Sequence, residues 1–225
     1  MCCFLFVFSG EATQQLSRDS TTERAGPVKE EFRDTLFLGN LSRDEAHSFF
    51  IQHVLPCFIR APDSRGAWDR VYEVCGGNPG LLRKCASSAA AFGSWEAACQ
   101  SIVQTAMTRI TKGLSPTTWE GAAWTSNDCR TALKMIASSS HAAVPAAQLE
   151  AHLGLSLFGL CLFGWGGAKK LQSMNKMNLL LRRSYDPLAR DIDAAAFGPD
   201  LEDVYTLPSA AHVIAARRKL QLGLH

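Results

Sequence analysis

The chain lacks the motifs by which several classes of enzyme and metal-binding protein are identified. No G-x-x-x-x-G-K-[ST] phosphate loop occurs in its 225 residues, so it has no P-loop of its own. None of the eight cysteines forms a C-x-x-C pair, and no Cys/His cluster has the spacing of zinc ligands. The six histidines are scattered without a fixed neighbour. These absences argue against a zinc protein and against Ser-His-Asp or Cys-His catalysis.

An excess of charge and a long apolar run are also missing. The formal net charge is +2, so charge alone indicates no class of partner. The apolar run 153–165 is too short to span a bilayer and contains three glycines. Residues 2–8 lack the positively charged start of a signal peptide. We therefore expect an intracellular protein with no membrane span and with reduced cysteines, several of them buried as small hydrophobes. The cysteines that lie in apolar helical patterns are Cys57, Cys75, Cys85, Cys99 and Cys129.

The first 40 residues predict the end of a larger α/β core. Residues 2–8 are rich in aromatic and branched side chains and end at Ser9-Gly10, which is typical of a buried strand. A strand of the parallel type needs neighbours that cover both of its faces, so we expect the chain to begin partway through a fold. Residues 12–29 have loop composition, and Thr35–Leu38 predicts a short extended segment.

Residues 41–114 predict a bundle of about four helices. Ser42 and Glu45 form a capping box, and the helix that they open would bury an apolar face that includes His53. Ser94 is the expected cap of the longest helix. Three further apolar stripes have helical spacing: Trp68, Val71, Tyr72 and Cys75; then Leu81, Leu82, Cys85, Ala86, Ala89 and Ala90; then Trp95, Ala98, Ile102, Val103, Ala106 and Ile110.

A glycine-rich corner joins two of these helices. Gly76 and Gly77 are expected to supply the positive φ angles that end a helix. Asn78 can cap the next helix, and Pro79 fits its first turn. Backbone N–H groups at such a helix start can receive an anion or a nucleotide. The same pattern also serves as a plain helix connection, so the corner alone leaves both interpretations open.

Residues 126–225 predict a second unit whose order of elements is that of a winged-helix domain. The apolar stretch 155–167 has no place in this order, and its structure stays open. The expected elements are a helix capped by Asn127, a helix around Leu149, a helix over 168–174, strands at 179–181 and 203–207, and a helix opened by Pro208.

Charged side chains in this second unit permit two interpretations. Its basic residues could contact nucleic-acid phosphates, with residues 168–174 as the recognition helix. Interleaved acids favour instead a solvated face or a protein-docking surface. Asp191 and Asp193 are interpreted as loop acids, because no catalytic partner lies nearby in the sequence. The basic residues are Lys169, Lys170, Lys176, Arg182, Arg183, Arg217, Arg218 and Lys219.

With these patterns, the chain resembles the C-terminal part of a P-loop ATPase of the AAA+/STAND group, archaeal-ATPase-like. Residues 36–46 resemble the entry into the helical lid of that family, and Gly77-Asn78-Pro79 resembles its G-x-P motif. By the same resemblance, Pro79 would pack beside the adenine. Arg83 would then stand in the place of the sensor-2 arginine, and Ser9 in that of sensor 1.

The resemblance implies a mainly α fold, with a remnant core strand in residues 1–40, a lid bundle in 41–114 and a winged helix in 126–225. The implied function is a lid and switch module that senses ATP or ADP, with Mg²⁺ in a full-length protein, and that cannot hydrolyse ATP alone. Nucleotide would reach it through the missing P-loop core, and protein partners or self-association are expected. The alternatives are a winged-helix nucleic-acid-binding module and a truncated, non-functional ATPase gene product.

Overall fold

The computed structural model describes residues 39–154, 165–187, 189 and 191–222. Within these residues the protein is mainly α-helical, as expected, with one small three-stranded sheet. The predicted strand over 2–8, Ser9 and the extended segment Thr35–Leu38 lie outside the described residues, as do residues 155–164. The last residues of the unplaced apolar stretch, from Trp165 onwards, belong to a helix.

The first part of the described chain is helical throughout. Its elements are α1 (Arg43–Phe49), which continues into a π-helical turn (Phe50–Val54) and a 3₁₀ turn (Leu55–Cys57), then α2 (Trp68–Cys75), α3 (Pro79–Phe92), α4 (Trp95–Gly113) and a 3₁₀ turn (Pro116–Thr118). Each predicted apolar stripe lies on one of these helices.

The second part alternates helices with three short strands. Its elements are α5 (Ser126–Ser138), β1 (Ala143–Pro145), α6 (Ala146–Gly154), α7 (Trp165–Lys176), β2 (Leu181–Arg183), a 3₁₀ turn (Ala194–Phe197), β3 (Val204–Thr206) and α8 (Ala210–Leu220). Helix, strand, two helices, two strands and a closing helix therefore follow one another along the chain.

The sheet has the strand order β1-β3-β2, and both pairings are antiparallel. Tyr205 on the central strand lies opposite Val144 on one side and Arg182 on the other. The two predicted strands are present, but the first begins at Leu181, because the N–H of Leu179 bonds the Met174 carbonyl at the end of α7. The strand β1 was not predicted from the sequence, since three residues are too few to show a two-residue period.

Side-chain caps start the helices α1, α3, α4 and α5. The Ser42–Glu45 capping box opens α1, and the Ser94 side chain accepts the Ala97 N–H at the start of α4. The prediction for α5 was wrong. Thr125 is its N-cap, in a capping box with Asp128, whereas Asn127 lies inside the first turn. The threonine hydroxyl and the aspartate carboxylate satisfy each other's backbone N–H groups, which Asn127 could not do from its position.

The larger of two hydrophobic clusters in the described residues runs through both predicted units. The helix α8 packs against α4 and α5, and so connects the helical bundle to the part that contains the sheet. Ile110, Leu133 and Leu171 are at most 2% exposed and belong to the same core. Burying one such side chain stabilises a fold by about 1.5–3 kcal/mol. The packing of α8 therefore ties the stability of the two parts together.

Two predicted core side chains lie at the surface instead. His53 is exposed, because the π-helical turn from Phe50 to Val54 changes which residues face the core. Ala46, Phe50 and Val54, four residues apart, are the buried ones. Among the cysteines, Cys57 is also exposed. The other predicted cysteine positions are buried, namely Cys75, Cys85, Cys99 and Cys129.

Candidate functional site

The glycine corner between α2 and α3 uses its two glycines for different reasons. Gly76 has a φ of 57° and ends α2, as predicted. Gly77 does not have a positive φ, so that part of the prediction was wrong. A Cβ atom on Gly77 would lie 1.8 Å from the carbonyl oxygen of Leu41, so a side chain is excluded by close backbone approach.

The start of α3 has the predicted cap. The Oδ1 atom of Asn78 accepts the N–H of Leu81 at 3.0 Å, and Pro79 is the first helical residue. The N–H of Asn78 bonds the carbonyl of Cys75 at 3.4 Å, and Pro79 has no N–H. In the first turn of α3, the N–H of Gly80 therefore has no acceptor among the described residues, so it can donate to a ligand. One open donor is far less than a phosphate cradle provides.

Arg83 lies one turn after Pro79 on an exposed part of α3. It forms no ion pair with another described residue. Its guanidinium can therefore bind an anion that comes from outside the described chain. The structure brings Gly77, Asn78, Pro79 and Arg83 together around one helix start. Ser9, the remaining predicted site residue, lies outside the described residues.

The three residues Gly39–Leu41, called here the entry segment, contact the glycine corner. The N–H of Leu41 donates to the carbonyl oxygen of Gly77 at 2.9 Å. On its other side the corner approaches α8, because a Cβ on Gly76 would lie 3.7 Å from the Cβ of Ala210. The corner is therefore packed between the entry segment and the first residue of α8.

The entry segment also contacts an ion pair in the second part of the chain. Asn40 donates from Nδ2 to Oδ2 of Asp191 at 3.2 Å. Arg183 binds the same carboxylate with both terminal nitrogens, at 3.0 and 2.9 Å. At Gly39, a Cβ would lie 2.2 Å from Oδ1 of Asp191, so glycine permits this approach as well. Gly77 thus allows the entry segment to pack against the glycine corner, and Gly39 allows it to pack against the Asp191–Arg183 pair.

Asp191 lies in a loop, as predicted, but it is not a solvated acid. Its side chain is 9% exposed and that of Arg183 is 15% exposed, so both charges are largely removed from water. Asp193, by contrast, is exposed and accepts the N–H of Ala195 at the start of a 3₁₀ turn. The sequence could not distinguish these two acids, since the partner Asn40 is 151 positions away from Asp191.

A second candidate feature is an open groove of about 660 Å³ between α6, α7, β2 and β3. Tyr205 on the central strand is 2% exposed and lines this groove. Burial raises the pKa of the Tyr205 phenol above its usual range. The lining residues are Glu150, Ala168, Lys169, Gln172, Asn175, Arg182 and Tyr205.

The basic residues of the second unit have different surroundings. Lys170 donates from Nζ to Asp128 and to the Leu153 carbonyl, both at 2.9 Å, so it holds the fold together rather than facing a phosphate. Arg182 uses Nε to bind Asp203. Lys169 is exposed and has no ion-pair partner among the described residues. A sequence signal for the groove did exist, because Ala168, Gln172 and Asn175 recur at helical spacing.

Among the described residues, no group of three or more His, Cys, Asp or Glu side chains could hold a metal ion. No helix in the same part of the chain is long and apolar enough to cross a membrane. Comparisons of the chain with protein-family models, with curated proteins and with solved structures found no match.

Proposed function

We propose that this chain is the lid and switch module of an AAA+/STAND-type ATPase, with a helical lid in residues 41–114 and a winged helix in 126–225. The observation that carries the proposal is the placement of the entry segment. Its residue Leu41 is bonded to the glycine corner, and its residue Asn40 is bonded to the Asp191–Arg183 pair. A shift of these three residues would therefore disturb both parts of the chain at once.

The order of elements from α5 to β3 supports the winged-helix assignment. A winged helix needs a helix, a strand, two further helices and then two strands that form an antiparallel sheet with the first. The strand order β1-β3-β2 has that arrangement. The final helix of this unit, α8, also contacts α4 in the lid. A movement of one unit would therefore be passed to the other.

In the proposed mechanism, the nucleotide lies between this chain and a P-loop core that the chain does not contain. Pro79 would pack beside the adenine, while the Gly80 N–H and the Arg83 guanidinium would face the phosphates. The bound nucleotide would favour one position of the entry segment over another, which is a population shift between two arrangements. The chain alone would not hydrolyse ATP, because no Walker A or Walker B motif is present.

A nucleotide titration followed by NMR tests this proposal. Backbone amide signals of Gly77–Arg83 should shift with ADP and Mg²⁺, with a Kd of about 1 mM or weaker, because only half of a site is present. Arg83→Ala should reduce these shifts, and Lys84→Ala, an exposed neighbour, should leave them unchanged. Corner signals that do not respond to ADP, or sustained ATP turnover above a buffer blank, would contradict the proposal.

A second candidate function is binding of duplex nucleic acid through α7. Lys169, Gln172 and Lys176 are exposed and recur at helical spacing on α7. This favours nucleic-acid binding, because lysine and glutamine side chains contact phosphates and base edges. Salt-dependent binding to duplex DNA that weakens in Lys169→Gln would support this candidate. Undetectable binding at low salt would remove it. Lys170 is not a suitable test residue, because its ion pair with Asp128 is structural.

A further inference from the structure

Three cysteine thiols meet where the helices α2, α3 and α4 pack together. Cys75 ends α2, Cys85 lies in the middle of α3 and Cys99 lies in α4. The sulfur atoms of Cys85 and Cys99 are 3.8 Å apart, which is within hydrogen-bonding distance for two thiols. A hydrogen bond with the Cys75 thiol is the largest cause of the raised pKa of Cys85. The three thiols therefore form one connected cluster.

The cluster is enclosed by the helical bundle. Cys85 and Cys99 are 0% exposed, and Cys75 is 1% exposed. A single buried cysteine behaves as a small hydrophobe, and its packing does not require a second sulfur atom beside it. Here the thiols of Cys85 and Cys99 instead contact each other across two neighbouring helices. Two adjacent thiols can undergo a reaction that a single buried cysteine cannot, which is formation of a disulfide.

The pair needs only a small movement to form that bond. A disulfide has an S–S length of about 2.05 Å, so the two sulfur atoms must approach by less than about 2 Å. Rotation about χ1 moves a cysteine sulfur over a comparable distance. The helices α3 and α4 pack closely against each other, and the two residues are 14 positions apart in the sequence. The bond would therefore close a short loop between neighbouring helices.

We propose that Cys85 and Cys99 form a redox-sensitive clamp that locks α3 to α4 when hydrogen peroxide oxidises the pair. One thiolate of the pair attacks the peroxide, which gives a sulfenic acid and hydroxide. The second thiol attacks the sulfenic sulfur, so that the S–S bond forms and the hydroxyl group leaves as water. Two thiols and one peroxide thereby give one disulfide and two water molecules, since the two thiol protons end in the water. A dithiol reductant reverses the change by thiol–disulfide exchange.

The surroundings of the pair determine when the reaction occurs. Hydrogen bonds between neighbouring thiols, together with burial, raise the pKa of both cysteines, so thiolate is scarce while the bundle is closed. Oxidation therefore follows a local opening and is slower than oxidation of the exposed Cys57. The clamp lies beside the glycine corner, because the Cys75 carbonyl accepts the Asn78 N–H at 3.4 Å. The inference does not rest on the nucleotide function proposed for that corner.

Peptide mapping of the folded chain after treatment with hydrogen peroxide tests the proposal. Remaining thiols are alkylated at acid pH, and the peptides are analysed by mass spectrometry without reduction. A peptide pair linked through Cys85 and Cys99 should appear. The oxidised chain should melt about 5–10 °C above the reduced chain, because the bond restricts the unfolded state. Dithiothreitol should remove the link and restore the original melting temperature.

Two variants separate the clamp from a general effect of oxidation. Cys99→Ala should abolish both the link and the rise in melting temperature. Cys129→Ala is the matched control, because it removes a buried cysteine outside the cluster, and it should form the link like the parent chain. Oxidation of Cys57 alone, with Cys85 and Cys99 recovered as free thiols, would overturn the proposal. A link between Cys75 and Cys85 would also overturn it, as would a linked chain that melts no higher than the reduced chain.

Discussion

The carbonyl oxygen of Leu41 occupies the space into which a side chain on Gly77 would project. A Cβ atom at that position would lie 1.8 Å from the oxygen, and the N–H of the same leucine bonds the Gly77 carbonyl. The two backbones therefore approach each other more closely than any residue other than glycine permits. This contact fixes the entry segment against the start of α3.

Gly77→Ala should destabilise the protein by about 2–4 kcal/mol, because the methyl group must push one backbone away from the other. Urea unfolding followed by circular dichroism measures the effect. Gly80→Ala is the matched control. Gly80 is exposed, and a Cβ there would lie 3.2 Å from the side-chain amide oxygen of Asn78, so a change within about 0.5 kcal/mol is expected. Equal stability of the two variants would contradict the close contact.

Asp191→Asn should cost about 3 kcal/mol or more, because it leaves the largely buried Arg183 guanidinium without its carboxylate. Asp193→Asn changes an exposed acid that caps a 3₁₀ turn, and asparagine keeps that capping ability, so a change below about 1 kcal/mol is expected. Chemical denaturation of both variants provides the comparison. A small effect of Asp191→Asn would mean that the ion pair is exposed in solution.

The neighbouring lysines Lys169 and Lys170 should differ sharply when each is replaced by methionine. Lys170→Met removes the partner of Asp128, whose side chain is only 12% exposed, and should cost about 3 kcal/mol. Lys169→Met should change stability by less than about 0.5 kcal/mol, because the residue is exposed. Thermal melts of both variants at neutral pH measure the difference, and a reversed order would contradict the placement of α7.

The stability of the protein should fall in mildly acidic solution because of His212. Burial, together with the nearby positive charge of Arg109, lowers the pKa of His212 to about 4, and its Nδ1 lies 2.8 Å from the Ser209 hydroxyl. The unfolded chain takes up a proton near pH 6.5 and the folded chain does not. The stabilisation from neutral His212 is therefore complete above pH 6.5 and is lost as the pH falls from 6.5 towards 4.

Melting temperatures of the parent chain and of His212→Gln between pH 4 and pH 8 measure this effect. Glutamine can still bond Ser209 but does not titrate, so the difference between the two curves isolates His212 from the carboxylates. The parent chain should lose more stability than the variant as the pH falls below 6.5. Parallel curves over this range would show that the pKa of His212 is not lowered in the folded chain.

Local signals in the sequence predicted the helices well. The Ser42–Glu45 box, the Asn78-Pro79 start and the Ser94 cap depend on residues three or four positions apart, and the structure contains all of them. The apolar stripes likewise follow from the helical period. The π-helical turn that exposes His53 was not predictable in this way, because it changes the period within a single helix.

The contacts that form the candidate site could not be read from local patterns. In the sequence Gly77 is typical of a helix end. Only the position of the Leu41 backbone shows why no residue with a side chain fits there. Asp191 resembles Asp193 in the sequence, and its burial depends on the distant Arg183 and Asn40. The sequence predicted Asn127 as the cap of α5, whereas Thr125 is the cap, and Asp128 of its capping box also forms an ion pair with the distant Lys170.

A double-mutant cycle between Gly77→Ala and Asp191→Asn tests most directly whether the entry segment couples the two parts of the chain. Free energies of unfolding are measured for the parent chain, both single variants and the double variant. The account predicts a coupling energy of about 1 kcal/mol or more, because one displaced entry segment loses both contacts together. Single-variant effects that add within about 0.3 kcal/mol would show two independent contacts and would contradict the account.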